Sequence, residues 1–275
     1  MLSQKQRDRK AYALAKEFIL KKKAEGITNE ILEKYLQHRH IHRPDSINKI
    51  YKQILASAQN ANMKAGVIGR ALGGMEKLAI VLGNFDPKVV IKKYPNWQFV
   101  LNKTEKRLKP KGKIRRKPRS IWPHFCQTIL SSAQFLSQFS SAEEFYNWVD
   151  IFDRDDYARL ALPLLLDREV SGFGFALACD FLKELGYINY AKPDVHLKKI
   201  FKALGLCSPK ANDYQVFKSI IRLAKNANVT PYNADKLFWL IGSGYFYHDK
   251  QIGKDGRIGS QKKKFISYAR KRLGT

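Results

Sequence analysis

The sequence predicts an all-α protein. Apolar residues recur at three- and four-residue spacing through most of the chain, as they do on the buried face of an amphipathic helix. Residue types that begin or end helices, chiefly Ser, Thr, Asp and Gly, separate these periodic stretches. No stretch of any length shows the alternation of apolar and polar residues that is typical of a β-strand, and the sequence contains no internal repeat.

Composition and charge restrict the class of protein and the class of partner. The 275 residues allow one large domain or two small ones, and the hydrophobic fraction of 44% indicates a folded chain. The formal net charge of +27 favours a polyanionic partner, most often a nucleic acid, with an anionic membrane surface as the alternative. No apolar run could cross a bilayer, and the N-terminus lacks the apolar core of a secretion signal. We therefore expect a cytoplasmic, nucleoid-associated protein that does not bind membranes.

Residues 1–45 are predicted to form a basic helical extension. Two apolar faces at helical spacing are separated near Gly26, and Thr28 or Asn29 is the expected N-cap of the second helix. The extension ends in three alternating histidines, which could form a metal site or an exposed basic turn; they are His38, His40 and His42. We favour the turn, because the flanking arginines would repel a cation.

Residues 46–119 are predicted to form a helical subdomain that ends in a basic loop. Asp86-Pro87 is typical of a helix start, with Asp86 as the cap. Segment 102–119 contains ten Lys or Arg residues and a single acidic residue, and its prolines argue against one continuous helix. A flexible loop that contacts a nucleic-acid backbone is the favoured interpretation, and a merely solvated loop is the alternative. The expected contacts with the nucleic acid are Lys109, Lys111, Lys113, Arg115 and Arg116.

Residues 120–275 are predicted to form a third region that is helical and ends in a basic tail. Within it, residues 157–186 are predicted to form two helices, the first kinked or interrupted near Pro163 and the second ending at Gly186. A hairpin joins them, because Gly172 and Gly174 flank one apolar residue and glycine accepts positive φ. The free N–H groups at the start of the second helix are a ready site for an anion such as phosphate.

One carboxylate follows this hairpin at a fixed distance. Asp194 lies between Pro193 and the pair Val195-His196, eighteen positions after Ala176. Together, the hairpin, its helix and this aspartate resemble the helix-hairpin-helix DNA glycosylase superfamily. That resemblance implies two helical subdomains with a DNA-binding cleft between them, double-stranded DNA as the partner, and a monomeric enzyme of base excision repair.

The resemblance also implies roles for single residues. Asp194 is the expected catalytic carboxylate, which would stabilise the positive charge that develops on the sugar, although a helix N-cap is the alternative role. The expected DNA contacts near the hairpin are Gly172, Phe173, Gly174, Ala176 and His196. No cofactor is expected except Na⁺ or K⁺ on the hairpin carbonyls. An iron–sulfur cluster is excluded, because the chain has only three widely separated cysteines and four are needed.

The hairpin lacks the lysine of the bifunctional members of this superfamily. Ala176 occupies the position at which that lysine would attack the sugar, so we expect a monofunctional enzyme that uses water. Lys192, two residues before Asp194, is the alternative nucleophile. The candidates for the base pocket are Trp122, Phe125, Tyr190 and Trp239, and for the first two a core position is the alternative. The expected function is hydrolysis of the N-glycosidic bond of a damaged or mismatched base. The alternative is a DNA-binding protein that uses the same hairpin without catalysis.

Overall fold

The computed structural model describes residues 2–22, 25–37, 43–59, 66–118 and 120–274. Within these ranges the predicted all-α fold is confirmed, because fourteen α-helices, one 3₁₀ helix and no strand are present. The 3₁₀ helix is Met75–Ile80. The α-helices are α1 Gln4–Leu20, α2 Asn29–Leu36, α3 Ile47–Ala58, α4 Val67–Leu72, α5 Pro87–Lys93, α6 Trp97–Leu108, α7 Ile121–Leu136, α8 Ala142–Asp153, α9 Ala158–Glu169, α10 Phe175–Glu184, α11 Val195–Ala203, α12 Asp213–Ala227, α13 Pro231–Ser243 and α14 Lys262–Leu273.

Side-chain caps account for several helix starts. Thr28 caps α2, because its hydroxyl accepts a hydrogen bond from the N–H of Ile31 at 3.2 Å. Asp86 caps α5 through one carboxylate oxygen, Oδ1, which accepts from the N–H groups of Lys88 at 2.8 Å and Val89 at 3.3 Å. Both starts agree with the sequence-based expectation.

The chain divides into two compact units. The terminal unit comprises Met1–Ile41 and Gly186–Thr275, and the central unit comprises His42–Leu185. This division differs from the three consecutive segments predicted, since α1 and α2 group with α11–α14 and α3–α6 group with α7–α10. The functions assigned to the three segments stay predictions.

In the terminal unit, α1 packs on α12, α13 and α14. Its Asp8 is fully buried, and both its carboxylate oxygens have partners on α12. The Nε of Arg222 and the Nδ2 of Asn226 each donate to Oδ2 of Asp8 at 2.8 Å. A buried carboxylate is tolerated only when it is paired, and the partners of Asp8 are on α12. Helix α1 is therefore part of the core of this unit and not an appended extension.

In the central unit, α7 packs against α3, α5 and α6, and α10 packs against α9 and α3. The hydroxyl of buried Tyr51 on α3 donates to the carbonyl of Ile129 on α7 at 2.8 Å. Pro163 lies inside α9, which continues through it to Glu169. These contacts fix α7, α9 and α10, the helices that surround the predicted hairpin.

The basic segment 102–119 begins as helix and not as loop. Helix α6 continues through Leu108 and ends where Lys109 adopts a left-handed conformation with φ +44°. Beyond it the chain is irregular, but it is anchored, because the N–H of Lys111 donates to the carbonyl of Ala71 at 2.8 Å. The expectation of a loop is therefore wrong for residues 102–108, which are helical, and it stays a prediction for residues 109–118.

Some sequence-based expectations concern metals and membranes. His38, His40 and His42 lie outside the described residues. In the described part of the chain, no group of three or more His, Cys, Asp or Glu side chains is arranged to hold a metal ion. None of the helices within those ranges is both long enough and apolar enough to cross a membrane.

Candidate active site

The hairpin joins α9 to α10 in the central unit. Gly172 and Gly174 have φ of +77° and +73°, conformations that L side chains rarely adopt. The N–H of Phe173 donates to the carbonyl of Val170 at 3.1 Å and closes the turn. The ring of Phe173 is buried edge-on against Phe181, with centroids 5.9 Å apart. The apolar residue of the motif therefore anchors the hairpin to α10.

Helix α7 holds the hairpin through two hydroxyls. The Oγ1 of Thr128 donates to the carbonyl of Ser171 at 2.8 Å, and the N–H of Ser171 donates to the Oγ of Ser131 at 2.9 Å. A Cβ atom on Gly172 would lie 2.5 Å from the Nε2 of His124, which is closer than real contacts allow. The hairpin thus packs directly on side chains of α7, and a Cβ atom at Gly172 would require the His124 ring to move.

Three backbone N–H groups of the hairpin are available to a ligand. Those of Gly172, Gly174 and Ala176 donate to no acceptor within the described residues. They lie at the N-terminus of α10, where the helix dipole adds partial positive charge, so the arrangement suits a phosphate. Phe173 departs from the expectation, because its N–H is used inside the turn and its ring is buried.

The hairpin carbonyls were the predicted ligands of Na⁺ or K⁺. Those of Val170 and Ser171 each accept one hydrogen bond from the chain. A carbonyl oxygen has two lone pairs, so the donor set is chemically compatible with such an ion. The cation stays a prediction.

Asp194 lies in the terminal unit as the N-cap of α11. Its Oδ1 accepts from the N–H groups of His196 at 2.7 Å and Leu197 at 2.9 Å. Both capping bonds use this one oxygen, and Oδ2 accepts no hydrogen bond from any described residue. The expected cap is therefore present, and it leaves half of the carboxylate free for another role.

Burial raises the pKa of the Asp194 carboxyl above its usual range. The hydrogen bond from Leu197 opposes this shift, and the neighbouring Asp235 charge adds to it. Asp235 on α13 is itself buried, and its Oδ2 accepts from the N–H of Lys192 at 3.0 Å. Asp235 therefore fixes the chain just before Asp194 as well as influencing its charge. The predicted substitute nucleophile, Lys192, lies half-buried on this segment.

His196 is the second residue of α11, and its side chain lies between α13 and α14. Its Nδ1 is 3.2 Å from the Nζ of Lys262 on α14. A Cβ atom on Gly242 of α13 would lie 2.4 Å from the Cβ of His196, so glycine allows this close packing. Burial lowers the pKa of His196, the Asp194 charge opposes that shift, and the Lys262 charge reinforces it.

Three of the four base-pocket candidates are core residues. Trp122, Phe125 and Tyr190 are 7%, 4% and 0% exposed, so their rings cannot stack on a base, and this finding corrects the prediction. Tyr190 stacks instead on Phe217, with centroids 6.1 Å apart and planes 10° apart. Trp239 is half-buried on α13 and remains a candidate.

Trp239 belongs to an aromatic cluster with a cation at its centre. The Nζ of Lys236 lies 5.6 Å from the ring centroid of Trp239 and 5.0 Å from that of Tyr247, and it also bonds to the Tyr247 hydroxyl at 2.8 Å. The three side chains are half-buried. Partly exposed aromatic rings next to a cation are the elements of a surface on which nucleic-acid bases stack.

The basic side chains predicted to contact the DNA backbone are not equally free of partners within the protein. All five side chains are exposed; they are Lys109, Lys111, Lys113, Arg115 and Arg116. The guanidinium of Arg116, however, pairs with Glu105 and also donates to the Oδ1 of Asn102 at 2.8 Å. Part of its charge is therefore already neutralised within the protein.

Solved structures with a similar fold are 8-oxoguanine DNA glycosylases. The Methanocaldococcus jannaschii 8-oxoguanine glycosylase/lyase, in complex with DNA containing 8-oxoguanine, aligns with a TM-score of 0.51 and 16% identity over 82% of this chain and 96% of that chain. A further structure of the 8-oxoguanine DNA glycosylase from that organism aligns with a TM-score of 0.50 and 17% identity, over 82% of this chain and 94% of that chain. The chain has the fold of these glycosylases. No protein-family model matches the sequence, and a search of curated proteins finds no match.

Sequence reasoning missed three residues within this glycosylase fold. They are Asp235, Gly242 and Lys262, which contact the segment around Asp194 and His196 from α13 and α14. Asp235 did carry a signal, because it is an acidic residue beside Ala234 and Leu237 on the apolar face of its helix. Lys262 carried none, since it begins a run of three lysines in a basic tail.

Proposed function

We propose that this protein is a monofunctional DNA glycosylase that hydrolyses the N-glycosidic bond of a damaged base in double-stranded DNA. The observation that carries the proposal is the Asp194 carboxylate, which caps α11 with Oδ1 and keeps Oδ2 free. The fold, shared with 8-oxoguanine DNA glycosylases, supports the same function. The net charge of +27 supports a polyanionic partner.

Backbone contacts would provide the energy for base extrusion. A stacked base is inaccessible to chemistry in a duplex, and extruding it costs a few kcal/mol. The N–H groups of Gly172, Gly174 and Ala176 would bind a phosphate, and the exposed lysines of the basic segment would add contacts that do not depend on sequence. A monovalent cation on the hairpin carbonyls would add positive charge when bound.

The carboxylate would act on the sugar. Cleavage of the N-glycosidic bond builds positive charge on the deoxyribose, as in other glycoside hydrolyses. The free oxygen of Asp194 can stabilise that charge or orient the attacking water. Either role requires the ionised form, so activity should fall as the pH decreases. Because burial raises the pKa of Asp194, the fall should begin at higher pH than for an exposed aspartate.

Water is the proposed nucleophile. Ala176 offers no amine, so a covalent intermediate at the hairpin position cannot form. Borohydride reduction during turnover should therefore trap no protein–DNA adduct. An adduct that disappears in Lys192→Ala would instead show that Lys192 replaces the hairpin lysine.

The alternative function is DNA binding without catalysis. It is favoured by the two capping bonds of Asp194, which already give this residue a structural role. Under this alternative, no base is released from any duplex, and Asp194 serves the helix alone.

The deciding experiment measures base release from a panel of duplexes. The panel contains oxidised, alkylated, deaminated and mismatched bases, with 8-oxoguanine first because the structural neighbours act on it. Alkali then reveals abasic sites. We expect release by the natural protein and a loss of about 100-fold or more in Asp194→Asn, with duplex binding retained.

Asp86→Asn is the matched control. Asp86 caps α5 with the same pair of bonds from one oxygen, so it reproduces the structural consequence of the substitution at an unrelated helix. Equal base release by Asp194→Asn and the natural protein would contradict the catalytic role.

A further inference from the structure

The ring of His196 is held on two sides by residues of the terminal unit. Gly242 lets the base of the side chain pack directly on α13, and the Nζ of Lys262 lies 3.2 Å from Nδ1. Lys262 is the first residue of α14, where the helix dipole opposes a cation. Helix α14 therefore gains no electrostatic stabilisation from this lysine, and its contact with His196 needs another explanation.

We propose that Lys262 is a positioning residue of the candidate site: its ammonium donates to Nδ1 of His196, which places the ring proton on Nε2 and, together with the burial of the ring, keeps the imidazole uncharged beside Asp194. This inference rests on the proposed function. The assignment of donor and acceptor follows from chemistry, since an ammonium has only donors and a ring nitrogen can accept only when it carries no proton.

The charges around the ring agree with this assignment. Helix α11 is packed by α12, α13 and α14. Two charges act on the His196 ring: Lys262 on α14 and Asp194, the cap of α11. Asp235 on α13 acts on Asp194. Asp213 at the start of α12 is paired with Lys198, at 2.8 Å.

An uncharged His196 matters for the proposed reaction. An imidazolium next to Asp194 would form an ion pair with the carboxylate and compete with the positively charged sugar for it. A neutral ring leaves the carboxylate charge for the transition state, and its Nε2–H remains a hydrogen-bond donor. Lys262 thus acts through His196 and does not itself touch the reacting atoms.

The test observes the ring in the full-length protein without DNA. Long-range ¹H–¹⁵N spectra distinguish the two neutral tautomers and the imidazolium, and the signal missing in His196→Asn identifies this residue. We expect a neutral Nε2–H ring at pH 7. In Lys262→Met we expect the midpoint of the His196 titration to rise by about one pH unit, because a neighbouring positive charge is removed.

Matched variants separate this role from a general change in the tail. Lys262→Arg keeps a donor and a charge and should restore the natural titration. Lys263→Met removes an exposed neighbouring charge and should leave the midpoint unchanged.

Two results would overturn the proposal. One is a ring that is protonated on Nδ1 in the natural protein at pH 7, whether neutral or charged, which needs no variant to observe. The other is an unchanged titration in Lys262→Met. Failure of the proposed function is a separate outcome, because it is an absence of base release by the natural protein.

Discussion

Gly172 and Gly174 have similar backbone angles but different surroundings. A Cβ on Gly174 would meet no atom within 4 Å, whereas one on Gly172 would overlap the His124 ring and approach the Thr128 hydroxyl. At the scale of the residue, then, one glycine of the motif is required for conformation alone. The other is required for conformation and for space.

This difference predicts unequal effects of alanine. Gly174→Ala should destabilise the protein by about 1–3 kcal/mol through backbone strain. Gly172→Ala should cost more, because the His124 ring must also leave its place against the hairpin. Urea denaturation of the two variants measures this difference. Equal losses would contradict the close approach of Gly172 to His124.

Helices show how far local sequence determines structure. Thr28 and Asp86 predicted two helix starts correctly, because a cap depends on a few consecutive residues. Trp122 and Tyr190 were assigned to a pocket and are buried, because an aromatic residue has the same appearance in a core and in a binding site. The contacts of Lys262 and Asp235 depend on how distant helices pack, which periodicity does not specify.

At the scale of the element, α7 should control the order of the hairpin. Thr128→Val and Ser131→Ala each remove one hydrogen bond to Ser171 and should each cost about 1 kcal/mol. We expect faster amide exchange at Ser171 and Phe173 and weaker duplex binding. Ser137→Ala is the control, because its hydroxyl bonds only within its own helix end, to Gln134. Unchanged hairpin exchange in both variants would refute the anchoring role of α7.

At the scale of the whole molecule, the positive charge is large but not uniformly available. Arg116 is paired with Glu105, while Lys113 forms no ion pair within the described residues. The division into units also changes the interpretation of the N-terminus, since buried Asp8 makes α1 part of a core. That long-range pairing with Arg222 could not be inferred from residues 1–45 alone.

The salt dependence of duplex binding should reveal which charges act on DNA. Lys113→Gln should reduce the slope of log K against log salt by about 0.9 if the side chain contacts one phosphate. Arg116→Gln should reduce it less, because Glu105 already neutralises part of that charge. Affinity measured across a salt series provides the comparison. Identical slopes for the natural protein and Lys113→Gln would exclude this lysine from the interface.

The cap of α11 has a consequence for how this protein balances folding against chemistry. Asparagine serves as well as aspartate in first position before a helix. Asparagine would also avoid a partly buried negative charge close to a second acid, Asp235. The helix dipole favours a negative charge at this cap, but burial opposes it, so folding alone gives little reason to prefer the acid at position 194. Under the proposed function, the reason is the negative charge that the acid supplies to the sugar.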